Sequence, residues 1–196
     1  MIALLDRIDD NIVGIDLAAK PANRTGFAVS RKQTVTTMLL KSDEEIISQT
    51  VKANPCVIAI DAPLSLPRGD EISRQADRLL VNKGFRCLWP LLPTMEPFTE
   101  RGIHLKKVFE NYGFQVIEVF PSATQKILGI PTKKAGKWRL RKGLTDLGIT
   151  ITIENPTHHE LDAITAALTG LFYLAGRYEA FGDEKEGQII MPICKP

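Results

Sequence analysis

The chain of 196 residues has only three cysteines, Cys56, Cys87 and Cys194. That odd number, without metal-ligand spacing, leaves no cysteine-based metal site. Each reads as a small buried hydrophobe in a reducing, cytosolic protein. There is also little excess of one charge: 25 basic residues face 23 acidic ones, a net +2. The total gives no general pull toward nucleic acid, so any basic surface must come from local clustering. No apolar run is long enough for a bilayer. The longest, Leu161 to Ala175, has about 15 residues and is interrupted by Thr165 and Thr169, which makes it a buried helix. The opening Met1–Leu5 is stopped by Asp6, Arg7, Asp9 and Asp10 before a signal peptide can form. Internal repeats, low-complexity linkers and composition breaks are absent as well. The expectation is one domain over 1–196, with a helical or irregular insertion around 64–113, large enough to bury its own core.

Against those absences stands a regular alternation of strand and helix signals. Asn11–Asp16 is a β-branched run ending in an acid, turn residues Lys20–Arg24 follow, and strands resume at Gly26–Ser30 and Thr34–Leu40. Short connections make these three an antiparallel meander. Ser42 and Glu45 form a capping box opening a helix to about Ala53. Cys56–Asp61 is a second apolar run ending in Asp, and a helix between two such strands implies a parallel crossover. Helices are expected over Ile72–Asn82 and Glu100–Tyr112, with the proline-spaced stretch Trp89–Pro97 as an irregular cap. Gln115–Phe120 is a third buried strand, followed by a basic helix from about Lys137 to Leu147 and a long helix from His159 to Ala175. Gln188–Met191 reads as a short strand or an extended arm. The order predicts an α/β fold: a mixed five-stranded sheet, three antiparallel strands then parallel ones, with helices on both faces.

Three of the strand-like runs carry an acid at or near their end: Asp16, Asp61 and Glu118. Taken singly, such an acid is commonly a turn former or a cap. Together they ask for a partner, because buried carboxylates side by side repel and are made tolerable by a cation. If the strands of Asp16 and Asp61 are parallel neighbours, their backbones lie about 4.8 Å apart and both acids reach one cation. The fourth acid, Asp162, lies in His158-His159-Glu160-Leu161-Asp162-Ala163 and shares a helix face with His159 and His158. Ala163, Ala166, Ala167 and Gly170 behind it are small enough to let that helix approach the sheet. Hard oxygen ligands suit magnesium or manganese, and two such ions about 4 Å apart activate a water and stabilise the leaving oxygen of a phosphodiester.

A strand-ending Asp, a hairpin, a helix, a second strand-ending Asp and a late helix with Asp-Ala resemble the RNase H-like superfamily. More closely, the chain is similar to the domain-of-unknown-function 429 family, described as predicted nucleases of RNase H fold. The likeness is carried by Gly14–Ala18, Ala59–Leu64, Arg74–Arg78, Glu118–Ala123, His159–Ala163 and Glu186–Ile190. It implies metal-dependent phosphodiester cleavage, with Asp16, Asp61 and Asp162 in the superfamily's acidic positions and Glu118 as a further ligand. The His-x-x-Asp-Ala helix is similar to that of Holliday-junction resolvases.

Among the remaining residues, Lys133, Lys134, Lys137, Arg139, Arg141 and Lys142 crowd around Trp138. This stretch either neutralises phosphates while the indole stacks on an unpaired base, or is a solvated face with Trp138 in the core. Arg74, Asp77 and Arg78 share a helical face, as a surface ion-pair set or turned to the site across the Pro63–Pro67 loop. Lys20 and Arg24 follow the first acid, and Asp183 and Glu186 offer another acid or a cap. The expected substrate-binding set is Lys20, Arg74, Arg78, Lys137, Trp138 and His159. Two other classes compete with a nuclease: an actin-like ATPase or phosphotransferase, for which no glycine-rich adenosine segment is evident, and a non-catalytic nucleic-acid-binding module. The expected partner is nucleic acid and not a membrane; RNA against DNA and the oligomeric state stay open.

Overall fold

The computed structural model describes residues 11–194. The Met1–Leu5 run and the charges after it, on which the reading against a signal peptide rests, lie outside them. The meander forms as its turn signals require: β1 (Asn11–Asp16), β2 (Thr25–Arg31) and β3 (Thr34–Leu40) pair antiparallel in sequence order. Helix α1 (Asp43–Ala53) opens on the Ser42–Glu45 capping box, in which each residue satisfies a backbone N–H of the other. It crosses over to β4 (Val57–Asp61), which lies parallel to β1. Then come α2 (Gln75–Asn82), α3 (Glu96–Asn111), β5 (Val116–Val119), α4 (Pro121–Ile127), a 3-10 turn (Lys133–Ala135), α5 (Lys137–Asp146) and β6 (Thr150–Ile151). The long α6 (His158–Leu174) and a hairpin of β7 (Tyr178–Asp183) and β8 (Gly187–Pro192) complete the described chain.

The sheet has eight strands in the order β6-β3-β2-β1-β4-β5-β8-β7, not the five expected. β1, β4, β5 and β8 run parallel at its centre. Of the three additional strands, β8 takes the strand alternative read for Gln188–Met191, and the other two were hard to see for separate reasons. β6 is two residues long, and β7 is partly exposed and carries Gly182 at φ 109°. Helix starts also shift. α2 begins at Gln75 rather than Ile72 because Arg74 takes an extended cap geometry and Asp77 accepts its backbone N–H. α3 begins at Glu96, with Pro97 in the first turn, where a missing N–H costs nothing.

Both faces of the sheet are covered. Ile12, Ala28, Val57, Ala59, Ile117 and Val119 pack beneath α5 and α6, while Val13, Ile15, Phe27, Ile58 and Ile60 pack against α1 and α3. Each fully buried large apolar side chain here contributes about 1.5–3 kcal/mol relative to exposure. The cysteines depart from expectation. Cys56, just before β4, and Cys194, just after β8, are exposed, and Cys87 is half-buried, where burial pushes its thiol up to about 11. Among the described residues, no helix is long and apolar enough to cross a membrane.

Candidate metal centre

Asp16 and Asp61 end β1 and β4, and the parallel register pairs them directly. Alternation places them on the face of Gly14 and Ala59, the face covered by α6. α6 comes close because two strand positions have no side chain. A Cβ at Gly14 would strike the Ala163 carbonyl and Ala167, and one at Gly26 would strike the His159 carbonyl. The helix start is fixed by a capping box between Thr157 and Glu160, and Glu160 Oε1 accepts from Thr37 Oγ1 of β3 at 2.9 Å. Thr157 and Glu160 thereby set the first turn, and His159 and Asp162 project from it toward the strand acids.

Asp162 is buried and accepts two hydrogen bonds, from Gln125 Nε2 at 2.9 Å and from Lys133 Nζ at 3.0 Å. Asp16 Oδ2 lies 2.6 Å from His159 Nδ1. Burial pushes the Asp16 carboxyl up; the His159 hydrogen bond pulls it down, and the Asp162 charge pushes it up again. Asp61 is held well above the ordinary carboxylate range by burial, then by the charges of Asp16 and Asp162. The same field acts in reverse on the cations. His159 is raised chiefly by its hydrogen bond to Asp16, and Lys133 is raised by Asp162, Asp16 and Asp61 against the opposing effect of burial. Two cationic side chains, one of them charged only when protonated, thus face three carboxylates. As the side chains stand, no group of three or more His, Cys, Asp or Glu among the described residues is set to hold a metal ion. Asp16 and Asp162 instead give oxygens to His159, Gln125 and Lys133.

Glu118 departs from the expected set, and the register explains why. It pairs with Ile60, one position short of Asp61, so its side chain projects from the opposite face, while Ile117 and Val119 face α6. There its oxygens accept from Arg74 at 2.6 and 2.7 Å and from the Leu64 backbone N–H at 2.8 Å. Arg74 is only 1% exposed and also donates to both oxygens of Asp77 and to Ser65. Burial opposes the guanidinium charge, but Glu118 and Asp77 more than offset it and push its pKa upward. Arg74, expected on the substrate, is therefore sealed inside a buried ion cluster. Arg78 is exposed and bonds Ser73 and Glu71, the surface ion-pair alternative.

Lys20 lies exposed in the turn after β1. Trp138 is 56% exposed rather than in the core, and Lys137 stands over its ring at 5.2 Å while also bonding Asn155. Asp183 and Glu186 act as caps: Glu186 accepts the backbone N–H groups of Arg68 and Gln75, and Asp183 those of Lys185 and Glu186. Sequence reasoning missed Gln125, a neutral side chain without periodic signal. Its Nε2 donates to Asp162 and Thr165 while its buried Oε1 has no partner. It also missed Arg101, which bonds Asp43 and the carbonyls of Ala18 and Lys41 and so fixes the loop leaving Asp16.

No curated protein matches the chain. Two solved structures of RuvC from Thermus thermophilus do, over most of both chains. One, a RuvC structure, is 16% identical, with 85% of this chain and 96% of that one covered at a TM-score of 0.46. The complex with Holliday junction substrate is 14% identical, with 84% and 94% covered at 0.52. At this identity the likeness concerns the fold, which is RNase H-like, a mixed sheet with helices on both faces. Residues 14–88, which carry Asp16, Asp61, Arg74 and Asp77, match the family described as "Protein of unknown function (DUF429)", the family that the sequence motifs indicate.

Proposed function

We propose that the protein is a cytosolic nuclease built as one RNase H-like domain, which hydrolyses phosphodiester bonds of nucleic acid with two magnesium or manganese ions. Asp16, Asp61 and Asp162 are their protein ligands. The observation that carries this reading is that three carboxylates, from β1, β4 and α6, stand close enough for their charges to act on one another, with Lys133 and His159 as partial counter-charges. The donors are all hard oxygens, the kind these ions take, and the pocket is short of positive charge. When bound, such ions activate a water and stabilise the leaving oxygen.

The chain's own residues do the rest. Gln125 orients Asp162 by donating to its Oδ1. His159 gives Nδ1 to Asp16, which leaves Nε2 as the atom that holds or releases a proton. Lys133, more than half exposed, is free to exchange Asp162 for a substrate phosphate. The 3-10 turn that carries it leads along the chain into α5, which begins with Lys137 and the exposed Trp138, a cation beside a stacking surface. Lys20 lies exposed in the turn that follows Asp16. Glu118 is withheld from the ions by Arg74 and serves instead to anchor the loop after Asp61.

A RuvC structure of this fold is described with a Holliday junction substrate, which makes branched DNA the first substrate to try, beside RNA and single strands. With manganese, the purified protein is expected to cut one of these, and Asp16→Asn to lower the rate by at least about 100-fold. Equal cutting by both proteins would overturn the reading.

A further inference from the structure

Asp61 also lines a cavity of about 310 Å³ that the acid chemistry leaves unused. Its walls are apolar: Pro63, Leu80, Leu88, Met95, Phe98 and Phe120. The charged groups of Arg74, Asp77 and Glu118 that reach it are already paired with one another. Arg86, exposed, supplies a cation to the same cavity. A second, open groove is lined by Leu17, Ala18, Asn23, Arg24 and His159. The two share Met95 and Phe98, so the start of α3 forms a partition with Asp61 on one side and His159 on the other.

We propose that the cavity beside Asp61 receives one unpaired nucleobase of the substrate, from the nucleotide adjoining the phosphate that the acids address. This rests on the nuclease reading and narrows it to nucleic acid with an unpaired base: a single strand, a bulge or a branch point. The chemistry of the walls selects the occupant. With Arg74, Asp77 and Glu118 paired internally, the cavity offers apolar and aromatic contact, and the Asp61 carboxyl at its edge disfavours a bare phosphate inside it. The occupant must therefore be a neutral ring, and a substrate phosphate at Asp61 brings one on its own backbone. Arg86 is available to the next phosphate. The volume lies at the small end of ligand pockets, about 300–1,000 Å³, which suits one heterocycle rather than a stacked pair. A base held in a duplex cannot enter without being unpaired first.

The test measures Kd, in EDTA, for two labelled duplexes that differ at one bulged position, an adenine in one and an abasic residue in the other. Wild-type protein is expected to bind the adenine bulge about tenfold more tightly, the scale of one base stacked on protein aromatics. Leu88→Asp, at a position 62% exposed and so tolerant of charge, is expected to bring that ratio close to one while circular dichroism and thermal midpoint stay those of the wild type. Equal wild-type affinity for the two duplexes would overturn the base cavity and leave the nuclease reading intact. A tenfold ratio that survives Leu88→Asp would place the base elsewhere and also overturn it. Binding of neither duplex, nor of single strands, would overturn the nuclease reading and this inference together.

Discussion

On one face of the sheet, Asp77 and Glu118 close around Arg74, which is almost wholly buried and hydrogen-bonded through its three side-chain nitrogens. On the other, Asp16, Asp61 and Asp162 face Lys133 and His159, whose side chains are more than half exposed. The first cluster satisfies its acids by an internal cation and short, geometrically complete hydrogen bonds. The second keeps a surplus of carboxylate and borrows its cations from solvent-facing side chains. Burial alone does not separate them, since Asp162 and Glu118 are both buried. What separates them is whether the compensating charge is built in or exchangeable. A closed ion cluster holds a loop in place; an open one can take up ions from outside.

The largest effect comes from breaking the closed cluster. Arg74→Met leaves Asp77 and Glu118 buried without their cation and is expected to cost about 3–5 kcal/mol of stability, read from urea unfolding. A loss below about 1 kcal/mol would mean that the Arg74 cluster is as exchangeable as the other. The open cluster should respond in the opposite sense. Because burial and the neighbouring acids hold the Asp61 carboxyl high, the unfolded chain loses that proton first as pH rises. Metal-free protein is therefore expected to lose stability from about pH 4 upward, through the raised value of Asp61. Asp61→Asn should remove this decline and stabilise the metal-free protein at pH 7 by on the order of 1 kcal/mol. The difference should vanish below about pH 3.5, where the carboxyl is protonated in both states. Denaturation midpoints of the two proteins across pH check the sign. The smallest expected effect is at Lys133, where solvent screens the ion pair: Lys133→Ala should tighten manganese binding by about two- to fivefold, measured by titration of the free-ion electron paramagnetic resonance signal. Weaker binding would make Lys133 a support for the ions rather than their stand-in.

The sequence patterns reached the open cluster more readily than the closed one, for reasons of geometry. Asp16 and Asp61 were visible because each ends a β-branched run, and parallel pairing brings run ends together. Asp162 was visible through its spacing from His159 and the small residues behind it. Glu118 looked equivalent, yet its role turns on a single step of register against β4, which no local pattern encodes. Arg74 read as a surface or site residue because buried arginines are rare, and its partner Glu118 lies 44 positions away. Lys133 was seen as one member of a basic stretch; only the turn at Lys133–Ala135 aims it, and not its neighbours, at Asp162. The core strands were legible from their apolar runs, whereas the two-residue β6 and the partly exposed β7 carry too little signal to announce themselves.

The exchange of built-in for borrowed charge is tested most directly by anomalous diffraction from crystals soaked in manganese chloride. The account predicts two anomalous peaks among the carboxylates of Asp16, Asp61 and Asp162, with Lys133 Nζ withdrawn from Asp162 and the Arg74–Glu118 pair unchanged. Peaks at Glu118, or an acid pocket that keeps Lys133 on Asp162 and takes up no manganese at millimolar concentration, would contradict it.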